Sequence, residues 1–339
     1  MKKIPVEKAV GMILSHDITQ IVPEKFKGRA FKKGHIIQKE DVDKLLELGK
    51  RYIYVYEPES GEIHEDDASL RISKAVTGEN IELTEPSEGK ITLKSLIRGL
   101  FKVNSELLHE INSIENVTIA SLPNNFKVEK GESLAGVRIV PLTIEEEKIK
   151  KIEKLCEEKG AVFTVKNYKK LKAAFIITGN EVYEGLIQDG FAPILREKFS
   201  YFGAELQGQS FCPDNIEEIK KAILQFNEQG ANVIVLTGGM SVDPDDVTPR
   251  AIRESSTKVV THGVPVQPGN MFMLAYMGET VLLGVPGAAL YYKTTILDVV
   301  LPRIFTEEIL TKEDFIKMGE GGFCLNCPVC HYPQCYFGR

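Results

Sequence analysis

ANVIVLTGGMSVDPDDVTPR, residues 231–250, passes from an apolar run into a glycine pair and then into an acidic loop punctuated by proline. Ala231 to Leu236 reads as a short strand buried on both faces, the kind found in parallel sheets. Thr237-Gly238-Gly239 then falls at its carboxyl end, where open α/β sheets bind ligands. Two glycines let the backbone approach a ligand and aim successive N–H groups at an anion, while Thr237 and Ser241 add hydroxyl donors. Phosphate suits such a cradle. Asp243, Asp245 and Asp246 would repel that phosphate unless a divalent cation lay between them, so the stretch points to a metal-bridged phosphorylated ligand. The plainer alternative is a strand, a turn and an exposed acidic loop.

Outward from this stretch, strand and helix alternate from Lys172 onward: AAFIIT, Phe191 to Phe202, AELQGQS, Ile216 to Gln229, ANVIVL, then strands Met271 to Tyr276 and Thr280 to Val285 and a helix after Pro286-Gly287. The expectation is an α/β domain with a doubly wound, mostly parallel sheet over residues 171–306. Asn215 is placed to cap a helix whose first turn carries Glu217 and Glu218. Upstream, residues 1–58 read as a small mixed domain, with Val42, Leu45, Leu46 and Leu48 on one helical face and a strand from Tyr52 to Tyr56. Residues 59–170 read as a second mixed or β-rich lobe, with a helical pattern from Leu93 to Ile111, strands Val117 to Leu122 and Val137 to Val140, and a charged connecting helix Glu145 to Lys159. Residues 307–339 form a short cysteine-rich tail.

Parallel strands place their carboxyl ends on one edge. Thr178-Gly179-Asn180-Glu181, Cys212-Pro213-Asp214, Thr237-Gly238-Gly239 and Gly284-Val285-Pro286-Gly287 would therefore converge, and Glu181, Asp214 and Asp246 would face one cleft. Three carboxylates around a phosphate site suit Mg²⁺. Each also has a plain role: Glu181 as a loop residue, Asp214 as the lead into a helix, Asp246 as a cap for the turn before Thr248-Pro249.

With 27% charged and 43% hydrophobic residues and a net charge of −6, the chain has no general attraction for nucleic acid or anionic lipid. No sustained apolar segment marks a membrane anchor or leader, so a cytoplasmic location is expected. Of six cysteines, Cys156 and Cys212 stand alone, whereas Cys324, Cys327, Cys330 and Cys335 crowd together near the carboxyl end. That crowding points to metal rather than to disulfides.

TGNEVYEG at 178–185, PDN at 213–215, TGGMSVDPDDVTP at 237–249, VPVQPGN at 264–270 and LLGVPGAAL at 282–290 occur in this order over about residues 172–306. The segment resembles the molybdopterin-binding domain family of molybdenum cofactor biosynthesis, which includes molybdopterin molybdenumtransferases and adenylyltransferases. IPVEKAVGMILSHDI also looks like the start of the transferase's amino-terminal region. The resemblance implies that the pterin phosphate, or its adenylylated form, sits on the Gly238-Gly239 loop, with Thr178, Gly179, Pro268, Gly269, Pro286 and Gly287 around it. It further implies that Glu181, Asp214 and Asp246 hold Mg²⁺ and activate the phosphoanhydride while molybdate is inserted and AMP leaves. Two departures concern that last step. Pro268-Gly269-Asn270-Met271 stands where the transferase commonly has PGKP, and Pro286-Gly287-Ala288-Ala289-Leu290-Tyr291 where it has PGNPVS. An oxyanion such as molybdate thereby loses a lysine and two polar donors, for which Lys293 and Arg250 are the available substitutes.

The tail carries C-x2-C-x2-C-x4-C, a spacing that wraps three thiolates round one face of an iron–sulfur cluster, a [4Fe–4S] cluster for instance, and lets the fourth close it. Cys327-Pro328-Val329-Cys330 would also serve as a zinc knuckle. Gly319-Glu320-Gly321-Gly322 reads as a flexible hinge to a separable metal module. Two functions follow as expectations: a transferase of molybdenum cofactor assembly, or a non-catalytic molybdopterin carrier or sensor whose metal tail docks to a molybdoenzyme or maturation partner. A homo-oligomer is expected in either case.

Overall fold

Lys172–Thr178 is buried at six of its seven positions, so the strand it forms must be covered on both faces. In the computed structural model, which describes residues 2–22, 26–55, 61–241, 243 and 246–338, it lies inside a six-stranded sheet. Strands β1 (Lys172–Thr178), β2 (Glu205–Cys212), β3 (Val233–Thr237), β4 (Lys258–His262), β5 (Met273–Met277) and β6 (Thr280–Val285) take the order β2-β1-β3-β6-β5-β4. β1, β2, β3 and β6 are parallel, and β5 and β4 close the far side as antiparallel strands. The expected doubly wound α/β domain is present, its sheet mixed and mostly parallel.

Alternation along the strands builds two cores. Phe175, Ile177, Val235 and Leu283 face one side with Leu195, Phe199 and Val300. Ala174, Ile176, Ile234 and Leu282 face the other with Ile219, Ile223 and Ile252. The covering helices are α1 (Asn180–Tyr183), α2 (Phe191–Tyr201), α3 (Ile216–Glu228), α4 (Thr248–Ser255), α5 (Ala288–Tyr291), α6 (Ile296–Ile304) and α7 (Lys312–Lys317). Asn215 caps α3 by accepting from the N–H groups of Glu217 and Glu218 at 3.0 and 3.2 Å. Thr295 and Asp298 form a capping box on α6. The apolar pattern after Pro286-Gly287 is thus two helices, because the chain is extended at Thr295, the cap of the second.

The tail corrects the expectation of a hinged module. Gly322 is buried, its carbonyl accepts from Gln267 N–H at 2.7 Å, and Cys324 N–H donates back to the Gln267 carbonyl at 2.8 Å. Phe323 thereby forms a parallel bridge with Gln267. Phe337 is 2% exposed and belongs to the same core as Phe175 and Leu283, and Tyr332 donates its hydroxyl to the Asp298 carbonyl at 3.0 Å. Glycine here serves close packing. Ahead of it, α7 is anchored by Arg303, a buried guanidinium that donates to Glu308 at 3.0 Å and to Asp314 at 2.6 Å.

The chain divides into two units, Met1–Ile97 with Val103–Leu122 and Lys130–Val165, and Arg98–Lys102 with Pro123–Glu129 and Lys166–Arg339. In the first, Lys2–Pro5 pairs with Tyr52–Val55 and Ile18–Val22 with Phe26–Phe31, around a core of Val6, Leu14, Ile37, Leu45 and Ile53. Tyr56, the expected end of that strand, lies outside the described residues. A four-stranded sheet follows, in the order Ile81–Leu83, Ile91–Ser95, Ser133–Ile139, Val117–Ser121. Helices Glu65–Val76 and Glu146–Lys159 are tied together by Arg71, which donates to Glu146 and Glu153. The helical pattern expected from Leu93 to Ile111 is corrected to strands Ile91–Ser95 and Gly99–Val103 and a helix Ser105–Asn112. Ile91, Leu93 and Ser95 are buried in alternation, a period of two that the following leucines and isoleucines masked. Among the described residues no helix is long and apolar enough to cross a membrane.

Candidate functional site

In register, Thr178 lies opposite Cys212, and Thr237 opposite Ile177 on one side and Val285 on the other. The segments after these residues therefore emerge on one edge. Because β5 is antiparallel and Met273 pairs with Gly284, the Pro268-Gly269 loop that precedes β5 reaches the same edge. The chain leaves β1 for β2 on one side and for β3 on the other, so β1 and β3 flank the topological switch point.

That point is tightly built. The buried Thr178 hydroxyl donates to the Thr237 carbonyl at 3.0 Å and shares a 2.9 Å hydrogen bond with the Thr248 hydroxyl. Gly238 has φ +89°, and a Cβ there would stand 2.1 Å from the Thr178 carbonyl oxygen, so no other residue fits. At Gly239, φ is +51° and a Cβ would stand 3.1 Å from the Thr248 hydroxyl and 3.5 Å from Asp246 Oδ1. Asp246 thus turns one carboxylate oxygen toward the glycine backbone. Its other oxygen accepts from Asp243 N–H at 3.2 Å, and its own N–H donates to the Asp243 carbonyl at 3.0 Å. Ser241 is exposed beside them, and Asp245 lies outside the described residues.

The β1 and β2 ends are joined by a reciprocal pair: Asn180 N–H donates to Asp214 Oδ2 and Asp214 N–H to Asn180 Oδ1, each at 3.0 Å. Glu181 folds back over Gly179, where a Cβ would be 2.8 Å from its Oε1. Gly287 caps α5 with nothing within 4 Å of a notional Cβ, so space is open above it. Among the described residues, however, no three His, Cys, Asp or Glu side chains stand close enough to hold one metal ion, which applies to Glu181, Asp214 and Asp246 as well as to the tail. Arg250 is tied through Nε to Glu254 at 2.9 Å on the surface of α4. Cys212 closes β2 as a buried thiol, and burial pushes its pKa up, so it stays protonated and unreactive.

Thr248 carries no sequence signal of its own, whereas Thr237 is one of the expected hydroxyl donors. Thr248, fully buried, supplies the hydroxyl that links the acidic loop to β1. Thr237 Oγ1 is buried without a hydrogen-bond partner among the described residues, directly before the glycine pair. Cavities of about 470 and 560 Å³ lie elsewhere in this unit, around Arg98 and Tyr201 and around Tyr276 and Ile309, and neither includes a strand-end residue. The strand-end site thus rests on topology and on the half-buried glycine pair.

Comparison with known proteins bears on the same segment. Residues 174–306 match the family described as "Probable molybdopterin binding domain", and residues 3–57 match "Domain of unknown function (DUF8806)". A molybdopterin molybdenumtransferase of Synechococcus elongatus is 28% identical over 130 residues, 35% of this chain and 32% of that protein. A CinA-like protein of Mycobacterium tuberculosis is 34% identical over 77 residues, 23% of this chain and 18% of that protein. The chain therefore spans a third or less of the length of these relatives. Solved structures with a similar segment include the molybdopterin biosynthesis enzyme MoaB of Thermus thermophilus, at 23% identity and TM-score 0.36 over 41% of this chain and 98% of that one. The tungsten cofactor synthesizing protein MoaB of Pyrococcus furiosus stands at 20% identity and TM-score 0.34, over 41% and 97%. The match to probable molybdopterin binding domains thus covers the sheet whose strand ends form this edge, residues 174–306.

Proposed function

We propose that the strand-end edge binds the phosphate of molybdopterin, or of its adenylylated form, and that the chain promotes molybdate insertion with release of AMP in molybdenum cofactor assembly. The observation that supports this reading best is Gly238-Gly239 at the switch point, two half-buried left-handed residues beside Thr248 and Asp246, a conformation suited to turning successive N–H groups toward an anion. The unpartnered Thr237 hydroxyl adds a donor at the same place, and a ligand oxygen would offset the ~1–3 kcal/mol that a buried unsatisfied hydroxyl costs.

Mg²⁺ fits this set in a limited way. It keeps several waters and binds through one or two carboxylates plus phosphate, and Asp246 has one oxygen turned toward the Gly239 backbone. When bound, the ion would offset charge on the phosphoanhydride. Asp214 holds the β1 end through Asn180, Glu181 flanks Gly179, and open space lies beside Gly287; Pro268-Gly269 and Pro286-Gly287 would then border the bound ligand.

The test is to supply the purified full chain with adenylylated molybdopterin, molybdate and Mg²⁺, and to measure AMP and mature cofactor. Turnover in the wild type and its loss in Asp246→Asn, with unchanged melting, is the expected result; equal activity of the two would remove Asp246 from the mechanism. A carrier or sensor is the second reading, favoured by Asn270-Met271 and Ala288-Ala289, which offer an oxyanion no charged side chain. Tight pterin binding without AMP release would establish it. A molybdoenzyme or maturation protein would then be the partner, and a homo-oligomer remains part of the proposal.

A further inference from the structure

We propose that Cys324, Cys327, Cys330 and Cys335 hold a polynuclear iron–sulfur cluster, of the [4Fe–4S] class, on a fixed face of the α/β unit. All four line one cavity of about 230 Å³, with Thr294 and Tyr332 among its other walls. The cavity favours one of the two metal chemistries that the spacing allows. A tetrahedral zinc site with Zn–S bonds of about 2.3 Å draws its sulfurs to within about 3.8 Å of one another. Here the thiols instead surround a space, and no three of them meet at a point. With a water occupying roughly 30 Å³ of liquid volume, that space takes a body much larger than one ion. A cubane cluster sits as a body between its four thiolates, and C-x2-C-x2-C-x4-C gives it three ligands on one turn-rich segment and a fourth from beyond.

The surroundings suit thiolate sulfur. Asn326 N–H donates to Cys324 Sγ at 3.4 Å, from a left-handed residue with φ +51° that bends the chain back between the first two cysteines. The Thr294 hydroxyl lies 3.2 Å from Cys330 Sγ. Hydrogen bonds to cluster sulfurs are a principal means by which a protein sets a cluster's potential. The segment is held in place before any metal binds, by the Gln267 bridge on one side and by Phe337 in the core on the other. Cys327 and Cys330 stay exposed, which leaves a path for iron and sulfide to enter. Each thiol loses its proton on ligation, so a 2+ cluster assembled from two ferrous and two ferric ions, four sulfides and four thiols needs no other oxidant and releases protons.

The test uses the full chain, purified without oxygen and incubated with ferrous and ferric iron in equal amounts and with sulfide. The expected product holds about four iron and four acid-labile sulfide per chain, absorbs visible light, and bleaches on reduction with dithionite. Cys327→Ser and Cys330→Ser, both at exposed positions, should lose at least half of the iron at unchanged melting temperature, and the double variant nearly all of it. Cys156→Ser, in the other unit, should keep it. One zinc per chain without labile sulfide, failure of the wild type to take up iron, or full iron retention in the double variant would each overturn the proposal. None of these readouts depends on a pterin, so the outcome stands apart from that of the strand-end test.

Discussion

At Gly238 a side chain would strike the Thr178 carbonyl, and at Gly322 it would strike those of Met318 and Pro265 at 2.4 Å. Both glycines admit a close approach, yet what approaches differs. Gly238 packs on the Thr178 carbonyl, but Gly239 beside it meets the Thr248 hydroxyl and the Asp246 carboxylate; Gly322 meets only carbonyls of its own chain. A glycine cluster thus signals that something comes near the backbone, and its neighbours in space decide whether that is a ligand or the protein itself. The strand-end pair is followed by an acidic loop, and the tail cluster by Phe323 and, farther on, Phe337.

The sharpest way to break this comparison is Phe337→Ala. If the tail is core, removing a fully buried ring costs about 3–5 kcal/mol in denaturant unfolding; a cost below about 1 kcal/mol would restore the hinged-module reading. Asp314→Asn should cost about 1.5–3 kcal/mol, the range for hydrogen bonds to charged groups. Burial works against the charged forms of Glu308 and Asp314, but Arg303 holds both carboxyls below their usual range. Their contribution is therefore complete above the unfolded carboxylate pKa, about 4, and is lost as pH falls through the lower folded values. A stability profile from pH 7 downward should show this acid limb in the wild type and a shallower one in Asp314→Asn. Gly322→Val should destabilise by about 1–3 kcal/mol through overpacking. Gly319→Ala, where the nearest atom to a new Cβ is at 3.4 Å, should stay within about 0.5 kcal/mol.

The sheet was legible because β1, β3 and β6 are buried on both faces and read as unbroken apolar runs, and because Asn215 announces its helix. Strand order was not legible, since β4 and the antiparallel turn of β5 depend on pairings that no local pattern records. Leu93 to Ile111 misled for a physical reason: apolar residues at 93, 97, 100 and 101 satisfy a helical stripe as well as two strands. The acidic and glycine positions at the strand ends were visible as motifs, whereas Thr248 was not, because its role arises from a hydroxyl contact across seventy residues of chain. The docking of the tail was hidden likewise. It depends on Gln267 and Asp298, far upstream in sequence.

The claim on which the account turns is that the edge at Gly238-Gly239 takes phosphate, and anaerobic titration of the full chain with molybdopterin and with its dephosphorylated pterin tests it directly. The wild type should bind the phosphate-bearing ligand at least about tenfold more tightly, a difference of about 1.4 kcal/mol or more, and Gly239→Val should lose that preference while remaining folded. Equal affinity of the wild type for the two ligands, or a preference that survives Gly239→Val, would contradict it.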